Sequence, residues 1–243
     1  MKILVIGESC RDVFCYGESR RIDPAVPVPI LNILECKENA GMAKNVQYNI
    51  QALGHACDII TNDNWRQITK TRYMHKNTNH IYLRVDENDD KFVQCDITKI
   101  NFSKYDIIVI SDYDKGFLSK KDIFNISTNH ECVFMDTKKE LGLWCSGIKY
   151  IKINNFEFEK AKNTINKEIE KKVIVTLGEK GCKFNGITYP VNRVEIKDLA
   201  GAGDTFLAAL VVEYSRTKSI EKSVVFANKC ATEVVQKRGV STI

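Results

Sequence analysis

The chain has 243 residues, 44% of them hydrophobic and 28% charged, and a net charge of +5. This balance excludes a disordered tail and suits a globular chain with a sizeable core. Its lysines alternate with acids, as in KEIEKK over 167–172, so no polycationic arm marks a specific nucleic-acid binder.

No stretch approaches the ~18 apolar residues of a membrane span, so no membrane partner is expected. The opening MKILVIGE is too short for a signal peptide and suits a first buried strand. The nine cysteines scatter from Cys10 to Cys230 without a C-x-x-C pair. They fit reduced, buried thiols of a cytoplasmic protein rather than a disulfide framework or a zinc site. The four histidines have no metal-ligand spacing.

In chain order, Lys2–Ile6 is a predicted strand and the proline-rich Val26–Glu35 is extended. Ala40–Leu53 fits a helix closed by Gly54. Cys57–Ile60 is the next strand, and Lys70–Lys76 with His80–Asp86 alternate as a half-exposed antiparallel pair. The apolar runs Tyr105–Asp112, Glu131–Asp136, Tyr150–Asn154 and Lys171–Gly178 fit strands buried on both faces. Helix-like stretches, Ser119–Thr128 and Asn155–Thr164, lie between them. Strand-helix alternation predicts a doubly wound, mostly parallel sheet. Ligands bind such sheets beyond the carboxyl ends of the strands, here Asp112, Asp136, Asn154 and Thr176.

Two helices are predicted after Gly201. Phe206, Leu207, Leu210, Val211 and Tyr214 stripe the first, and Val224, Val225, Asn228, Ala231, Val234 and Val235 the second. With no repeat or linker, residues 1–243 form one predicted domain.

The densest chemistry is Gly201-Ala202-Gly203-Asp204 at the mouth of the first of these helices. Its glycines permit a tight turn, and the unpaired first-turn amides with the helix dipole make an anion site suited to a phosphate. Asp204 beside it is a candidate base for phosphoryl transfer. A first-turn acid is also favoured by ~0.3–1 kcal/mol for electrostatic reasons alone, so four residues do not decide. Neither G-x-G-x-x-G nor the P-loop pattern is present, which disfavours a dehydrogenase.

DLAGAGDTFLAAL over 198–210 resembles the carboxyl-terminal signature of the ribokinase (PfkB) carbohydrate kinases. The opening through Gly54, VISDYDKGFL in the middle and RGVSTI at the end resemble the D-glycero-D-manno-heptose-7-phosphate kinase branch. The resemblance implies a ribokinase-like α/β fold with a small β lid, drawn here from about 13–36 and 70–95. It implies ATP and Mg²⁺ as cofactors and a sugar or sugar phosphate as acceptor. By the same resemblance Asp204 is the base, Gly201, Ala202 and Gly203 form the anion hole, and Asp12, Gly41 and Asn45 hold the sugar. Asn154 and Glu157 match an N-x-x-E element, Glu157 acting on the metal through water or phosphate. Asp136 and Lys138 match an acid-x-basic strand end. Thr176, Gly178 and Gly181 match the nucleotide loop, and Asp198 the acid that opens the signature.

Arg84, Lys115, Arg20 and Arg21 are candidates for holding a substrate phosphate, with solvated surface charge the equal alternative for each. The chain departs from the family at Ala40, Glu8, Leu199 and Ala200. Ala40 replaces a glycine and could narrow the sugar pocket. Between Ile60 and Lys70 the family has a further helix and strand, and this chain has only TNDNWRQIT. The shortening predicts an exposed apolar edge covered by a homodimer through the lid. The expected activity is an ATP-dependent sugar kinase. The alternative is a degenerate kinase fold that binds without turnover.

Overall fold

The computed structural model describes residues 1–78, 80–239 and 241–243; Val240, within RGVSTI, lies outside them. The strands are β1 (Ile3–Gly7), β2 (Ser9–Ile22), β3 (Pro29–Met42), β4 (Cys57–Ile60), β5 (Thr69–His75), β6 (Ile81–Glu87), β7 (Ile107–Asp112), β8 (Val133–Thr137), β9 (Tyr150–Asn154), β10 (Val173–Thr176), β11 (Cys182–Phe184) and β12 (Ile187–Tyr189). The α-helices are α1 (Ala43–Ala52), α2 (Lys120–Asn129), α3 (Asn155–Ala161), α4 (Lys167–Glu170), α5 (Ala202–Thr217) and α6 (Ile220–Val234).

The continuous apolar runs became an eight-stranded sheet of order β12-β11-β10-β9-β8-β7-β1-β4. Its strands are parallel from β10 to β4, and β11 and β12 add antiparallel edges. The period of two splits each strand between two cores. Ile3, Val5, Ile107 and Val109 pack toward α1, α5 and α6. Leu4, Ile6, Ile108 and Ile110 pack toward α2, α3 and α4. Each fully buried aliphatic side chain stabilises the fold by ~1.5–3 kcal/mol, so both faces need cover. Helix α5 lies under α1 and α6, and its residues from Asp204 to Val212 are all buried. That is why its sequence is apolar around most of its circumference. In α6, Val224 is buried but Val225 is 57% exposed, contrary to the predicted stripe. Consecutive residues lie about 100° apart on a helix, and α6 is covered on one side, so Val225 turns away from the core that Val224 enters.

A second sheet, of order β3-β2-β5-β6, stands over one end of the first. β2 and β3 are antiparallel, β2 and β5 parallel, and β5 and β6 the predicted antiparallel pair. The strand pairing of β3 runs through Met42, so α1 starts at Ala43 rather than Ala40. Cys15 and Cys36 are cross-strand partners and form a disulfide. This corrects the expectation of thiols only; the other seven cysteines are free. The shortened segment after β4 is a single turn around Trp65, which leads directly into β5. Ile22, Leu34 and Leu83 of the small sheet are more than half exposed. Among the described residues, no helix is long and apolar enough to cross a membrane.

Candidate active site at the amino end of helix α5

The chain reverses its direction of sheet growth at β1, which lies between β4 and β7. A crevice opens at such a switch point, beyond the carboxyl ends of the strands. Two cavities flank the amino end of α5, one beside this switch point, lined by Asp12 and Tyr113, and one beyond the end of β10. Gly201 caps this helix at φ 79 in the left-handed region, without a side-chain cap. The Ala202 N–H turns back to the Leu199 carbonyl at 3.3 Å. The N–H groups of Gly203 and Asp204 lie in the first turn, where the helix offers no acceptor.

The cavity on one side measures about 320 Å³, and Thr176, Gly178, Gly181, Leu199, Ala202 and Gly203 contribute to its wall. Gly178 and Gly181 have φ of 60 and 86. At Gly181 a Cβ would run into the Tyr189 carbonyl. The rest of the wall mixes the aliphatic Val191, Val194, Ile196 and Val235 with polar residues such as Asn192 and Asn228, a lining that suits a flat heterocycle. The three residues predicted for a nucleotide loop therefore come together.

The cavity on the other side measures about 360 Å³ and brings together Asp12, Arg84, Lys115, Lys138, Gly201 and Asp204. Asp204 is 6% exposed. Its Oδ2 accepts from Asn45 Nδ2 at 3.0 Å, and its Oδ1 accepts from the Tyr113 hydroxyl at 2.8 Å. Burial pushes its pKa up to about 6, against the lowering effect of the hydrogen bonds from Asn45 and Tyr113. Asn45 is held in turn by Asn49, whose amide donates to the Asn45 Oδ1 at 3.1 Å, and Thr205 donates to the Asn49 Oδ1 at 3.2 Å. Asp12 enters from β2 and accepts from Arg72 at 2.5 Å. A Cβ at Gly41 would overlap the Asp12 carboxylate, so the glycine is needed for that close approach.

Charges crowd the far wall. Arg84 donates to both oxygens of Asp86 at 2.7 and 2.8 Å. Lys115 donates to Asp89 at 2.5 Å, and Lys70 pairs with Asp86 and Asp89. Arg20 and Arg21, by contrast, are exposed on the outer part of β2 and do not line this cavity. Eight residues of strand past Asp12 carry Arg20 about 26 Å away. Ala40 likewise lines a different cavity, with Asn45, Tyr48 and Trp65, so its Cβ leaves the cavity of Asp12 and Asp204 unobstructed.

The remaining predicted residues support the site from behind. Asn154 and Glu157 cap α3 reciprocally, and Glu157 also accepts from Lys138 at 2.6 Å. Asp198 accepts from the N–H groups of Ala200 and Gly239 at 2.9 and 3.1 Å, bracing the loop into α5 rather than lining either cavity. Asp136 accepts from Lys152 at 2.6 Å through Oδ2, while its buried Oδ1 has no hydrogen-bond partner and faces Lys138 Nζ at 3.7 Å. Glu8 is fully buried and accepts from the N–H groups of Tyr113 and Lys115 at 2.9 and 3.0 Å.

Four site residues escaped sequence reasoning: Tyr113, Lys152, Lys70 and Arg72. A lysine inside the apolar run YIKIN was the available signal for Lys152, which lies under Gly203. Alternation in KTRYMHK places Lys70 and Arg72 on one face, a signal equally present. Tyr113 carried none, since its partner Asp204 is 91 residues away.

Residues 69–243 match the pfkB family carbohydrate kinase profile. The chain is 29% identical to the bifunctional protein HldE of a Nitratiruptor species over 290 residues, taking in 99% of this chain and 63% of that protein. The HldE of Hydrogenovibrio crunogenus is 30% identical over 291 residues, covering 100% of this chain and 61% of the relative. The chain thus spans less than two thirds of these relatives. Both matched stretches exceed its own 243 residues, so each relative has positions with no counterpart here. In fold the chain is similar to a ribokinase from Thermotoga maritima, with a TM-score of 0.73 at 18% identity, covering 98% of this chain and 94% of that one. A nucleoside kinase from Methanocaldococcus jannaschii superposes with a TM-score of 0.74 at 17% identity, covering 98% and 93%. With the profile matched over most of its length, the chain belongs to the pfkB family of carbohydrate kinases.

Proposed function

We propose that this chain transfers the γ-phosphoryl group of ATP to a hydroxyl of a phosphorylated sugar, a heptose 7-phosphate by the resemblance of its opening and central segments. The observation that carries the proposal is the position of the α5 amino end between two cavities, with Gly203 in the wall of one and Asp204 in the wall of the other. ATP lies on the side of residues 176–181 with its terminal phosphate at the first-turn amides. The acceptor hydroxyl faces Asp204, which takes its proton as the oxygen bonds to phosphorus. Asp12 orients the sugar, and Asn45, in the wall of the neighbouring cavity, holds Asp204 toward it. Arg84 and Lys115 exchange their carboxylate partners for the substrate's phosphate.

Mg²⁺ neutralises phosphate charge in such transfers. Among the described residues no cluster of three metal-ligating side chains exists, so a direct protein cage does not fit. Asp136 Oδ1, which lacks a hydrogen bond, and Glu157 share Lys138 between them and fit an ion carried by the nucleotide and held through water. The exposed apolar residues of the small sheet support a homodimer formed through the lid.

The direct bond from Arg72 to Asp12 favours one rival, a protein that binds sugar without turning it over. An ATP-consumption screen with heptose 7-phosphate and common hexoses separates the two. The kinase reading expects ADP release with the phosphorylated heptose above all. Binding of sugar phosphate with no ADP release across the set supports the rival.

A further inference from the structure

Tyr113 is the residue of the acceptor cavity that the transfer chemistry leaves without a part. Its phenol donates to Asp204 Oδ1 at 2.8 Å, inside the cavity assigned to the sugar. An acceptor alcohol must make that same hydrogen bond, as an O–H donor to the same carboxylate. Asn45 already occupies the other oxygen. The placement is built in. Glu8 holds the Tyr113 and Lys115 N–H groups on either side of Asp114, whose φ of 57 turns the loop inward. The ring packs with Cys10, Met42 and Ile68.

We propose that the Tyr113 hydroxyl is an internal stand-in for the acceptor alcohol, denying the Asp204 carboxylate to water until a sugar hydroxyl displaces it. The inference rests on the kinase reading. It answers a hazard of any kinase: a base that deprotonates an alcohol also deprotonates water. In that side reaction the water oxygen bonds to the γ-phosphorus and the bond from that phosphorus to the β–γ bridging oxygen breaks. ADP leaves with the electron pair, and the water proton passes to Asp204. Tyr113 blocks this route because its oxygen fills the place that water needs. It does not become the acceptor itself, since burial and the neighbouring Asp204 raise its pKa well above the ordinary value and keep the phenol protonated. Displacement by substrate exchanges one O–H donor for another, so little affinity is lost.

The test is sugar-free ATP hydrolysis, followed by phosphate release, in the full chain and in Tyr113→Phe. The variant is expected to hydrolyse ATP about tenfold faster or more, with the KM for the sugar phosphate little changed. Adding Asp204→Asn to it should return hydrolysis to the background rate. A residue that merely positions Asp204 gives the opposite pattern, with lower kcat and no gain in hydrolysis, and that result overturns the proposal. Should Tyr113→Phe fail to fold, Glu8→Gln keeps the tyrosine but loosens its loop, and a smaller rise in hydrolysis is expected; no rise overturns the proposal too. If the unmodified chain phosphorylates no sugar, the kinase reading itself has failed. If it does so while hydrolysis in both variants stays at background, only the role of Tyr113 has failed.

Discussion

Asp204 is subject to opposing forces: burial favours its neutral form, and donors from Asn45 and Tyr113 favour the charged one. Burial wins, and a pKa of about 6 leaves the group mostly ionised near neutrality yet able to take a proton. The rate of phosphoryl transfer should therefore rise with pH through about 6 and level off above it, as a pH profile of kcat/KM for the sugar would show. The same shift has a stability consequence. Between about pH 4 and pH 6 the folded carboxyl keeps a proton that the unfolded chain has lost, so stability falls as pH rises across that interval. A rise from 3.8 to about 6 corresponds to at most about 3 kcal/mol. Asp204→Asn should gain up to that amount in denaturant unfolding at pH 8 and almost nothing at pH 4. The family resemblance singled out Asp204, Asp12 and Asn45, and the fold brings Asp12 and Asn45 to the same carboxylate, Asp12 across one cavity and Asn45 by a direct hydrogen bond. Tyr113, Lys152 and Arg72 were not singled out, because their roles depend on partners brought from distant strands.

At the scale of elements, the site depends on how closely strands approach. Gly41 on β3 faces Asp12 on β2, and no side chain fits between them. Gly41→Ala should push the Asp12 carboxylate aside and raise the KM for the sugar about tenfold. The affinity for ATP should stay as it was, because the cavity proposed for ATP lies beyond α5. Losing a hydrogen bond from a charged group costs about 1.5–3 kcal/mol, enough for that change. Steady-state kinetics with each substrate varied in turn would show it. The parallel strands were legible as apolar runs, and α5 and α6 as stripes. The start of α1 was misplaced because strand pairing with β2 outweighs the local helical pattern from Ala40 to Met42. The Cys15–Cys36 bond depends on cross-strand register, which spacing along a chain does not reveal.

For the whole molecule, the shortened connection after β4 and the apolar outer residues of the small sheet have one consequence. Ile22, Leu34 and Leu83 keep more than half of their surface in water in a single copy. Sedimentation at tens of micromolar should find a dimer, and Leu34→Glu with Leu83→Glu should shift it to monomer without unfolding it. A monomeric unmodified chain would remove the lid from that role. In the proposed transfer, the amides at one helix end hold the moving phosphoryl group and Asp204 takes the proton. Single-turnover transfer from ATP to heptose 7-phosphate, measured beside calorimetric ATP binding, tests it most directly in Asp204→Asn. The account predicts a transfer rate lower by about 10²–10⁴-fold or more, with ATP affinity essentially unchanged. Transfer at close to the unmodified rate in a variant that binds ATP normally would contradict it.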